Sequence, residues 1–115
     1  MNQPTAEQPD VKADPITTNE VLLKAADLTL THGPDPVGCI RAAVYGHPNA
    51  VLPFEDTDES LLVEDAEYRM QCHLNPGSIN ADEHDRIDEW AQGRSVADVR
   101  AALVATAAAL KAGVR

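Results

Sequence analysis

Between residues 17 and 113 the chain repeatedly carries the residues that start and stop α-helices, at intervals that suit short helices. Thr17 and Glu20 have the spacing of a capping box, with Ile16 and Val21 as its hydrophobic staple. The helix they open runs through Val21, Leu22, Ala25, Leu28 and Leu30 and is stopped by Gly33-Pro34. Asp35-Pro36 restarts it, a cap followed by the one helical position that suits proline. That second helix turns Val37, Ile40, Ala43 and Val44 to one side and ends at Gly46. Pro48 and Pro53 rule out a helix over 47–54, whose apolar residues predict an extended segment lying across the core.

A third helix is expected from Thr57 or Asp58 to about Leu74, with Leu62, Ala66, Arg69 or Met70, and His73 facing inward. Asn75-Pro76-Gly77-Ser78 reads as a turn. Asn80 and Glu83 repeat the capping-box spacing and open a fourth helix, which offers His84, Ile87, Trp90 and Ala91 to the core and ends at Gly93. Ser95 caps the last helix, with Asp98 three residues on and Val96, Val99, Leu103, Thr106, Ala107 and Leu110 on one face until Gly113. No segment alternates with period two. The expectation is an all-α, compact, irregular bundle of about five helices forming one domain over 17–115. Aromatic residues are only 3% of the chain, so alanine, valine and leucine must fill the core. Residues 1–16 hold three prolines and almost nothing apolar, which predicts a disordered tail.

The formal net charge is −10, and it is confined to about a third of the sequence. Residues 55–89 contain twelve acids against Arg69 and Arg86, whereas seven acids balance seven bases elsewhere. The nine basic residues are scattered singly, so direct nucleic-acid binding and attraction to an anionic membrane are not expected. There is no signal-peptide pattern and no apolar run long enough to span a bilayer. The expected location is cytoplasmic, with Cys39 and Cys72 reduced.

Ile87-Asp88-Glu89-Trp90, Gly93-Arg94-Ser95 and the helix that follows, together with Gly38-Cys39-Ile40-Arg41-Ala42-Ala43, resemble a family of small helical actinobacterial and phage proteins catalogued only as a domain of unknown function. The resemblance spans 19–112 and implies the same helical fold. Ala91-Gln92 stand where that family often has Asn-Asp, and Asp35 where it often has cysteine, so an activity carried at either position is not implied here. The family has no established chemistry to lend.

Several constellations are weighed against plainer readings. Asp56, Asp58, Ser60, Glu64 and Glu67 fall at calcium-loop spacing, but Leu61 occupies the position that must be glycine. Cys39, His47, Cys72, His73 and His84 lack the pair spacing of a structural zinc site, so neither metal nor cofactor is expected. Cys39 sits in the first turns of its helix, where the dipole lowers a thiol pKa. With His73 or His84 as base it gives the alternative reading, a small cysteine-dependent hydrolase or transferase. Trp90 is expected to pack the fourth helix on the last, or to anchor an interface.

Acids gather naturally in the first turns of helices, but Glu64, Asp65, Glu67, Asp88 and Glu89 lie mid-helix or late, where no dipole favours them. Crowding like charge costs self-repulsion. The expectation is therefore a non-enzymatic binding or regulatory protein. It docks a basic partner protein through an acidic surface of Glu64, Asp65, Glu67, Asp88 and Glu89, with Tyr68 and Trp90 as anchors. Such carboxylates can also stand in for the phosphates of a nucleic acid. A third reading is a structural subunit that homodimerises through the alanine-rich last helix.

Overall fold

The computed structural model describes residues 17–75 and 86–112. Five helices follow one another: α1 (Thr18–His32), α2 (Pro36–Tyr45), α3 (Asp58–Leu74), α4 (Ile87–Ala91) and α5 (Val96–Lys111), with no strand among the described residues. The fold is all-α.

Each long helix begins where a side chain can satisfy the orphan amides of its first turn. Thr17 Oγ1 accepts from the Glu20 amide at 3.2 Å while Glu20 Oε1 accepts from the Thr17 amide at 2.9 Å, a complete capping box. Asp35 Oδ1 accepts from the Gly38 amide at 3.0 Å, with Pro36 behind it. Thr57 and Ser60 cap each other reciprocally, and Ser95 Oγ accepts from the Asp98 amide at 3.1 Å. Gly46 ends α2 in the left-handed conformation, at φ 93°, and its amide donates to Ala42 O at 2.9 Å.

The central helix is α1, which packs most extensively on α5 and α2 and also touches α3. It runs antiparallel to α5. Asn19 Nδ2 donates to Ala107 O at 2.7 Å, and Asp27, eight residues on, lies 3.7 Å from Arg100, seven residues back. Between these helices lies an aliphatic core built on Val21, Leu22, Ala25, Ile40, Val63, Met70, Val99 and Leu103. Two buried hydroxyls return to their own helices, Thr29 to Ala26 O and Thr106 to Ala102 O, so neither needs a partner across the core.

Three expectations are corrected here. The fully buried row of α3 is Ser60, Val63, Ala66 and Met70. Leu62, Arg69 and His73 only border it, half-buried. Ser60 enters the row because its hydroxyl is already spent on the cap, donating to Thr57 O. The 47–57 connection lays only part of its apolar content on the core. Ala50 is buried, its carbonyl held by Arg41 at 3.1 Å, and Leu52 is half-buried, but Val51 and Phe54 stand fully in solvent. Finally, α4 rests chiefly on α2 and α3 and not on the last helix, and Trp90 is half-buried against the core. The expected start of this helix at Asn80 and the inward His84 lie outside the described residues, as do the 1–16 tail and Gly113.

Candidate acidic docking surface

The acids of α3 and α4 divide into two groups with different surroundings. Asp65 is part of the scaffold. Its Oδ2 accepts from Thr18 Oγ1 at 2.6 Å, tying the start of α1 to α3, and its Oδ1 lies 3.3 Å from Arg69 one turn on. Glu67 turns toward α2, where its Oε2 sits 3.6 Å from Arg41 Nε, both side chains largely buried. Burial pushes the Glu67 carboxyl above its ordinary range. The Arg41 guanidinium pulls it back down in part, and Glu64 and Asp88 add to the rise. On α4, Asp88 pairs with Arg86 at 3.3 Å, both side chains being well exposed.

The second group is open. Glu64 and Glu89 are exposed, and so are Glu55, Asp56, Asp58 and Glu59 around the start of α3. None of these six has an ion-pair partner among the described residues. Glu55, Asp56, Asp58 and Glu59 count among the twelve acids of 55–89 but not among the expected docking residues, Asp58 and Glu59 because they complement the dipole of the first turn. What sets them apart is that no arginine or lysine pairs with them among the described residues, which local spacing does not encode.

The expected anchors also separate. Tyr68 is 60% exposed on α3. Trp90 is half-buried, its ring roofed by the Arg94 guanidinium 4.4 Å from the centroid while Arg94 Nε donates to Trp90 O at 2.8 Å. It is an element of packing before it is a contact surface.

A cleft of about 540 Å³ opens between α2, α3 and α4. Asp35, Glu67 and Asp88 face Arg41 and Arg86 there, so its charges largely answer one another. It offers neither a uniform field nor a nucleophile.

Cys39 is poorly placed to serve as a nucleophile, and His84, one of the two bases expected for it, lies outside the described residues. Cys39 is fully buried, its thiol 3.7 Å from Gly33 O, and burial together with the Asp35 charge raises its pKa to about 11. The expected lowering by the helix dipole is overturned, because desolvation of a thiolate outweighs it. The calcium-loop spacing, already set aside for want of a glycine, falls within a continuous helix that holds Asp58, Ser60, Glu64 and Glu67. Among the described residues no three His, Cys, Asp or Glu side chains gather as a metal site would require, and no helix is long and apolar enough to cross a membrane. On α5 the outward face is small and apolar: Ala97, Ala101, Val104, Ala105 and Ala108 are exposed along it.

The chain matches no protein-family model, no curated protein and no solved structure. The family resemblance therefore rests on the short motifs that suggested it.

Proposed function

We propose that the chain is a non-enzymatic binding module that docks the basic surface of another protein through the acids of α3, its approach and α4. One observation carries this reading: six exposed carboxylates in 55–89 have no ion-pair partner among the described residues, while the acids that the fold uses are paired. Solvated acids left without counter-charges repel one another and add nothing to the core. A basic partner relieves that repulsion and is steered to the site from a distance. Of the residues first singled out, Glu64 and Glu89 fit this role, and Tyr68 fits it as an exposed aromatic beside them. Asp65, Glu67 and Asp88 set the local potential while holding Arg69, Arg41 and Arg86.

The test is retention of cell proteins on the immobilised full chain over a salt gradient. Exposed charges are screened beyond about 10 Å at 0.1 M salt, so basic proteins should be retained at low salt and released as salt rises. Retention that ignores salt would sink the proposal.

A further inference from the structure

The outer side of α3 carries more than charge. Ser60, Val63, Ala66 and Met70 face the core, and Leu61 and Tyr68 lie on the opposite side of the helix. They are seven residues apart, so they stand within about 20° of one another around the axis and about 10 Å apart along it. Leu61 is 48% exposed and Tyr68 60% exposed. Asp58, one turn before Leu61, and Glu64 and Asp65, between Leu61 and Tyr68, share the same side. Four residues before α3 begins, Phe54, the chain's single phenylalanine, is completely exposed at 103%. A large apolar side chain exposed to water forgoes the gain of burial, and here Phe54, Leu61 and Tyr68 are all exposed in one acid-rich stretch of chain.

Resting on the acidic-docking reading, we propose that the Leu61–Tyr68 row, with Phe54 on the approach to α3, is the seat of a cationic amphipathic helix from another protein, laid along α3. The geometry suits a helix, because a partner helix presents apolar side chains at the same seven-residue interval and interdigitates with the row. The charge suits a cationic one, since Asp58 and Glu64 flank the row without ion-pair partners among the described residues. A second copy of α3 is disfavoured by the same charges, which would meet their like, and an anionic lipid surface is disfavoured for the same reason. The apolar row sets affinity and register, and the acids set partner class and approach.

The experiment uses the full chain, ¹⁵N-labelled, with two synthetic peptides of equal length and equal Lys and Arg content. One places leucines along a single helical face; the other replaces them with serine and glycine. The row predicts that the amphipathic peptide binds roughly tenfold tighter or more, and that resonance shifts map to Phe54, Leu61, Glu64 and Tyr68. Leu61→Gln, Tyr68→Gln and Phe54→Ser replace exposed side chains; unchanged circular dichroism verifies their folds, and each should weaken binding about fivefold or more. Equal binding of the two peptides, both lost in Glu64→Lys, overturns the helix seat and leaves acidic docking standing. Binding by neither peptide overturns both. Shifts confined to α1 and α5 also overturn the seat.

Discussion

Arg41 of α2 reaches Glu67 of α3 with Nε 3.6 Å from Oε2, and the same guanidinium donates through Nη1 to Ala50 O at 3.1 Å. One side chain thus joins two helices and the connection between them. Truncating it leaves a largely buried carboxylate without its counter-charge and the Ala50 carbonyl without its donor. Arg41→Ala should lower unfolding stability by about 1–3 kcal/mol, read as the shift in urea midpoint at constant slope. A change under about 0.5 kcal/mol would show the pair to be incidental.

The pH dependence of the same pair has a definite sign. Burial raises the folded-state pKa of Glu67 above its ordinary value of 4.5, so the folded chain holds this proton more tightly than the unfolded chain. The resulting stability is fully present below pH 4.5 and is lost as pH rises through the raised value. Glu67→Gln has no such proton. Its stability relative to the wild type should therefore grow as pH climbs out of the acid range, and a difference independent of pH would contradict the assignment.

Asp65 and Glu64 are neighbours in sequence with opposite duties. Asp65 accepts from Thr18 across the α1–α3 junction, so Asp65→Ala should cost about 1 kcal/mol, a modest figure because the carboxylate is 40% exposed. Glu64→Gln should stay within about 0.5 kcal/mol. Thermal denaturation of the two variants side by side checks the contrast; equal losses would erase the distinction between scaffold and surface acids.

Cys39 is fully buried with its pKa raised to about 11, and Cys72 is half-buried near the end of α3. A thiol reagent at neutral pH should modify Cys72 first and reach Cys39 only as the chain unfolds. Rapid selective labelling of Cys39 would reinstate the nucleophile reading.

The helices were legible in the sequence because their ends are written in local chemistry. Thr17 with Glu20, Asp35 with Pro36, and Ser95 with Asp98 each specify a cap without reference to the rest of the chain. On the α3 face Ala66 and Met70 were legible, but Leu62 outweighs Ser60 on any hydrophobicity scale, and only the Ser60–Thr57 hydrogen bonds explain a serine inside. The site was half legible. Spacing counted Asp65, Glu67, Asp88 and Glu64 as equals, whereas their partners Thr18 and Arg41 come from distant turns that folding brings to α3. Phe54 reads with the other apolar residues of 47–54 as lying across the core, because nothing local to Pro53-Phe54 reveals that the side chain stands in water.

The central claim is that the acids without partners, and not the paired ones, recognise another protein. It is tested most directly by quantitative affinity capture from the native cell, with the wild-type chain beside a Glu59→Lys/Glu64→Lys/Glu89→Lys variant of equal thermal stability. The account predicts that the basic proteins held by the wild type are lost from the variant. Recovery of the same proteins in the same amounts by both would contradict it.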